Sequence, residues 1–200
     1  MDNRPLDVPQ RHGELLRLAR ATIAHYLATG ELLPYQPEDE ALLVPAGVFV
    51  TLRLRPVPGR EHSDPDDPED VRGELRGCIG RIEADTSLCL VVQHTAIKAA
   101  TRDPRFDPVE PEELPRLMIE ISVLSPFRSV DSLDEIEIGQ DGLLIAGEGR
   151  RGLLLPEVAP AYGWGRETFL RALCQKAGLP DDAWPGRARL YAFTTESFTD

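Results

Sequence analysis

The sequence predicts an α+β fold, a mainly antiparallel sheet packed with about three helices. Segments with helical and with two-residue periodicity both occur, yet they do not follow the strict strand–helix–strand rhythm of a doubly wound parallel sheet. A Gly-rich turn between two short apolar runs, DGLLIAGEGRRGLLLP, reads as a hairpin, which only antiparallel neighbours can make. With 200 residues, 42% of them hydrophobic, the chain can bury a stable core without covalent staples and reads as a single domain over residues 1–200.

From Gly13 to about Thr29, Leu15, Leu18, Ala19, Ile23, Tyr26 and Leu27 fall on one helical face, and Gly30 is the expected stop. His25 is then a helix-surface or core-edge residue. GVFVTLRLRP, residues 47–56, alternates as a strand, with Val48, Val50, Leu52 and Leu54 opposite Phe49, Thr51, Arg53 and Arg55. Residues 56–70 are rich in Pro and acid and can bury almost nothing, so a mobile loop carrying a solvated His62 is expected. The loop is either a lid or a decoration.

The strand carrying Cys78 follows directly. Asp85 is a good N-cap for the next helix, whose apolar face runs through Leu88, Val92, Ala96 and Ala99, and Pro104 closes it. Cys89 lies beside that face as a small buried hydrophobe, while His94 projects elsewhere with Lys98 and Thr101. RLMIEISVLSPFRSV alternates Leu117, Ile119, Ile121 and Val123 against Met118, Glu120, Ser122 and Leu124, a further strand. In the hairpin that comes next, Gly147, Gly149 and Gly152 read as turn punctuation, since no helix begins directly after them to cradle a phosphate. GRETFLRALCQKAGL is a helix with Phe169, Leu170, Leu173, Cys174 and Ala177 on one side and Gly178 as its stop. Trp164 and Trp184 are expected to pack its two ends. Ala188 to Phe198 reads as one last strand.

The formal net charge of −12 works against binding that depends on neutralising phosphates over a broad surface, so neither nucleic acid nor an anionic membrane is the expected class of partner. Arginines nevertheless cluster, at Arg72, Arg76 and Arg81 and again at Arg102 and Arg105, and the only lysines are Lys98 and Lys176. Three cysteines with no C-x-x-C spacing and no His/Cys cluster argue against a disulfide framework and a zinc site, so no metal ligand set is assigned. The first residues lack the apolar core of a signal peptide, and no apolar run is long enough for a membrane span. A reducing cytoplasm is the expected address.

GELRGCIGRIEA, residues 73–84, poses the functional question. Strict alternation groups Glu74, Arg76, Cys78 and Ile82 on one face and makes Leu75 and Ile79 the core anchors on the other. Cys78 is then on the polar side, and Gly77 and Gly80 permit a bulge or the close approach of backbone or ligand. A guanidinium nearby would favour a reactive thiolate, and a glutamate would oppose it. A functional thiol and a small residue in a tight bend both remain open.

LRGCIG, residues 75–80, resembles the signature of the AMMECR domain family, whose bacterial members include protein A of the AmmeMemoRadiSam system. The resemblance continues through DPRF at Asp103 to Phe106, EISVLSP at Glu120 to Pro126, GLLLPEV at Gly152 to Val158 and FLRALCQKAGLPDDAW at Phe169 to Trp184. The acidic loop departs from it in being longer than the family's usual link. The resemblance implies two unequal lobes, a cleft at or near the signature, a cytoplasmic protein, and association with a radical S-adenosylmethionine (radical SAM) protein and a dioxygenase-like protein. It brings no established reaction and no cofactor.

Two readings follow. In one, Cys78 is nucleophile or acid/base, Arg76 orients an anionic group, and Glu120 or His94 carries a proton. In the other, the chain is a non-catalytic module for those partners, docking through Arg76, Arg105 and the signature Leu75, Gly77, Ile79 and Gly80.

Overall fold

Helical spacing of leucines sets the first described element: α1, Val8–Thr29, buries Leu15, Leu16, Leu18, Ala19 and Ile23 on one side. The computed structural model of the protein describes residues 8–55 and 73–200. The expected acidic loop, with His62, lies outside the described residues. The helix begins five residues before the expected Gly13, because Pro9 is tolerated in a first turn that has no intrahelical partner for its missing N–H. It ends where Gly30, at φ +75°, returns its N–H to the Tyr26 carbonyl.

The chain is α+β, and its described residues form three main helices and two four-stranded antiparallel sheets. It divides into two unequal units, Met1–Val123 with Ser197–Asp200, and Leu124–Glu196. In the first unit the strands are β1 (Val48–Leu54), β2 (Glu74–Arg81) and β3 (Leu117–Leu124), joined by β8 (Thr195–Thr199) in the order β2-β1-β3-β8. Val48, Val50, Leu52, Ile119 and Ile121 point from this sheet into a core completed by α1 and by α2 (Leu88–Thr101). Each such side chain contributes roughly 1.5–3 kcal/mol by leaving water. Gln93 of α2 is buried there, donating to the Thr22 hydroxyl at 3.2 Å and the Leu33 carbonyl at 2.8 Å.

The expected cap of α2 is displaced. Ser87 stands at the N-cap without capping the backbone through its side chain, and Asp85 accepts from Arg81 at 2.6 Å and from the Thr86 hydroxyl at 2.9 Å. A charged donor competes for the carboxylate more strongly than a backbone N–H does.

In the second unit the order is β4 (Arg128–Ser129), β7 (Ala188–Phe193), β5 (Gly142–Gly147), β6 (Arg150–Leu154). β5 and β6 form the expected hairpin, closed by Glu148 and Gly149, both at positive φ, as a two-residue turn requires. Gly147 and Gly152 lie on the strands rather than in the turn, and Gly152 lets the sheet approach Ala177 of α3 (Arg166–Ala177). Phe169, Leu173 and Cys174 fill this core, and Trp164 and Trp184 pack against it. Burial pushes the Cys174 thiol up.

The single final strand expected over Ala188 to Phe198 is two strands in different sheets. They part at Thr194, whose N–H and C=O turn to the Ser125 hydroxyl and N–H, at 2.9 Å each. Thr194 to Ser197 are all polar, so hydrophobic alternation does not carry across the break, while the β-branched Thr194 and Thr195 still read locally as strand. Among the described residues no helix is long and apolar enough to cross a membrane.

Candidate functional site at the edge of β2

β2 is the edge strand of its sheet, and its pairing with β1 carries one irregularity. Leu52 faces Gly77 and Arg53 faces Leu75, so Arg76 is the extra residue of a bulge. Strict alternation therefore fails on the N-terminal side of Gly77. Leu75 shares the face of Arg53 and Thr51 instead of joining Ile79 as a core anchor, which corrects the expectation for Leu75. Ile79 packs against the core as expected. Gly77 faces α2 so closely that a Cβ there would lie 2.1 Å from the Ala99 carbonyl oxygen.

The bulge directs Arg76 away from the thiol. Its guanidinium forks onto Glu113, with Nε at 2.7 Å and Nη2 at 2.9 Å, and also donates to the carbonyls of Asp107 at 2.6 Å and Pro108 at 3.1 Å. The same bonds hold the Glu113 carboxyl below its usual range and raise Arg76. In this arrangement Arg76 ties the 107–113 segment to β2.

Cys78 lies beyond the bulge, half-buried and free of any disulfide, on the sheet face that does not meet the helices. Its neighbour across the ladder is Thr51, whose hydroxyl donates to the sulfur at 3.2 Å. Its backbone N–H points off the open edge and donates to Asp103 Oδ2 at 2.8 Å, and its carbonyl faces Arg105 Nη2 at 3.4 Å. Asp103 and Arg105 thus occupy the place of a further strand, one as acceptor and one as donor.

Asp103 is almost fully buried, its side chain 2% exposed. Arg105 donates to it from Nε at 3.0 Å, Nη2 at 2.7 Å and its backbone N–H at 3.1 Å. The guanidinium first, and then the two backbone donors, hold the Asp103 carboxyl far below the usual range against the opposing effect of burial. Arg105 is raised in turn, chiefly by Asp103 and further by Cys78. It remains 54% exposed and lies 5.3 Å over the Phe106 ring.

The row extends inward from Cys78 to Thr51 and then to Glu120 on β3, which faces Thr51 in the ladder. Thiol, hydroxyl and carboxylate stand side by side on three strands. The adjacent row holds Gly80, Phe49 and Ser122, with the Phe49 ring over Gly80 and the Ser122 hydroxyl 2.8 Å from that of Ser197. Among the described residues no three His, Cys, Asp or Glu side chains gather as a metal-holding group.

The model of the AMMECR1 family matches residues 16–198 of this chain. The chain belongs to the AMMECR1 family. It is 40% identical over 197 residues to a protein of Thermofilum pendens, covering 93% of this chain and 88% of that one. It is 39% identical over 194 residues to protein MK0488 of Methanopyrus kandleri, covering 93% and 86%. The crystal structure of the uncharacterised protein PH0010 from Pyrococcus horikoshii matches with a TM-score of 0.80 at 38% identity, over 95% of this chain and 92% of that one.

Within this AMMECR1 fold the residues singled out from sequence separate into groups. Cys78 and Glu120 share a row through Thr51, and Arg105 stands at its open end. His94 belongs to the solvent-facing side of α2, which covers the opposite face of the sheet, away from the thiol. Thr51 and Asp103 were not anticipated. Thr51 was visible as a hydroxyl within an alternating strand, and Asp103 as the first residue of DPRF, where Pro104 reads as a helix stop and nothing assigns the carboxylate a partner.

Proposed function

We propose that this AMMECR1-family protein is a Cys-dependent enzyme whose nucleophile is Cys78. The observation that carries the reading is the Thr51 hydroxyl directed at the sulfur of a half-buried cysteine in line with Glu120. An O–H donor aimed at sulfur supports negative charge as it develops there. Glu120, next along the row, is the proton carrier in preference to His94, and Arg105, at the solvent edge, receives an anionic group of the substrate. A cytoplasmic address suits a thiol kept reduced. Iodoacetamide labelling followed by mass spectrometry, from about pH 6 to about pH 9, tests the reading. Cys78 is expected to react in the folded protein at least as fast as free cysteine, while the buried Cys89 and Cys174 are spared. Resistance of Cys78 under those conditions overturns the nucleophile.

A second reading is favoured by a separate observation: much of the signature has a packing or edge-capping task. Gly77 admits Ala99, Arg76 clamps Glu113, and the Cys78 backbone is capped by Asp103. On this reading the chain is a non-catalytic scaffold for a radical SAM protein and a dioxygenase-like protein. Loss of a complex with those partners in Arg105→Ala, together with an unreactive Cys78, supports it.

A further inference from the structure

The helix-covered side of β2 offers a feature that the Cys78 row does not use. Arg81, the last residue of β2, faces Val48 in the ladder, and Val48 is wholly buried in the core, so Arg81 leaves the strand on the α2 side. His94 and Lys98 stand one turn apart on the exposed side of α2. Together with Leu90, Val91 and Thr95 these three basic side chains wall a cavity of about 340 Å³. The setting is unusual for a chain with a formal charge of −12 and only two lysines, one of which is here. Asp85 is bonded to this group, taking Arg81 Nη2 at 2.6 Å. Arg81 Nε is shut off from solvent and has no hydrogen-bond partner among the described residues.

We propose that this cavity binds the phosphate monoester group of a small molecule. The terminal N–H groups of Arg81 that Asp85 leaves over, an ammonium and an imidazole together supply donors in several directions, which suits a tetrahedral oxyanion better than a neutral ligand. The volume lies at the lower end for small-molecule sites, and Leu90 and Val91 give an apolar wall for the rest of the ligand. The site is independent of the chemistry proposed for Cys78, which lies across the sheet.

Isothermal titration calorimetry of the full chain tests this with glycerol 2-phosphate and inorganic phosphate as probes, and with glycerol and sulfate at matched ionic strength as controls. Saturable binding of glycerol 2-phosphate is expected, weakened about tenfold or more by Lys98→Gln and by His94→Gln. Both side chains face solvent, so the substitutions leave the core intact, and circular dichroism confirms the fold of each variant. Lys176→Gln, at the other lysine, is expected to bind as the parent does. Tighter binding of inorganic phosphate than of the ester would overturn the assignment to a monoester. No saturable heat up to about 10 mM of either probe overturns the site itself. So does an affinity that Lys98→Gln and His94→Gln leave unchanged, or that Lys176→Gln lowers equally.

Discussion

Asp103 accepts the backbone N–H of Cys78 at 2.8 Å from a position almost closed to water, so the signature segment and the DPRF turn are one structural unit. Asp103→Asn keeps the shape and removes the charge, and is expected to destabilise the protein by about 1–3 kcal/mol in urea unfolding. Because the folded-state carboxyl titrates well below its unfolded value, that contribution is complete above about pH 5 and is lost progressively as the pH falls from there. A stability gap between parent and Asp103→Asn that is the same at neutral and at strongly acid pH would refute this account.

Gly77 and Gly80 are both crowded, but by different things. A Cβ at Gly77 meets the Ala99 backbone at 2.1 Å, whereas one at Gly80 meets the Phe49 ring at 2.2 Å. A ring can turn aside and a helix backbone cannot do so alone, so Gly77→Ala should cost about 3 kcal/mol or more and Gly80→Ala clearly less. Thermal melts of the two variants give the order directly, and a reversed order contradicts the packing described.

Arg76 donates to Glu113 and to two carbonyls, a geometry that a single ammonium cannot reproduce. Arg76→Lys is therefore expected to lower stability by about 1–3 kcal/mol while leaving the alkylation rate of Cys78 within about twofold. Unchanged stability with a large change in thiol reactivity would return Arg76 to the role of anion-orienting residue.

Thr51→Val removes the hydroxyl directed at Cys78 and keeps the side-chain shape. Cys78 alkylation near neutral pH is expected to slow by about three- to tenfold, a loss in the range of one hydrogen bond, with little change in melting temperature. An alkylation rate equal to the parent's removes Thr51 from the proposed machinery.

Much of this was legible in the sequence because burial enforces periodicity. Val48, Val50 and Leu52 announced a half-buried strand, and Cys78 was placed correctly on the face away from Ile79. Leu75 was misplaced because an extra residue in a strand leaves no local mark. The bulge at Arg76 goes with a guanidinium that reaches 37 residues along the chain to Glu113. Asp103 was missed for a related reason, since its partner lies 25 residues earlier and nothing in DPRF itself reveals a buried charge. The break at Thr194 was hidden because Thr194 and Thr195 keep strand character locally, and nothing local says that β7 and β8 join different sheets.

The first unit is discontinuous in sequence: residues 124–196 are spliced into it, and Ser197–Asp200 return to it. Asp200 receives the Ile119 N–H at 2.9 Å and an Arg20 bond from α1, so these last residues stitch together segments made much earlier. During translation the sheet that bears Cys78 waits, one strand short, until the whole insertion has emerged. Removing Ser197–Asp200 would therefore wound the portion made first.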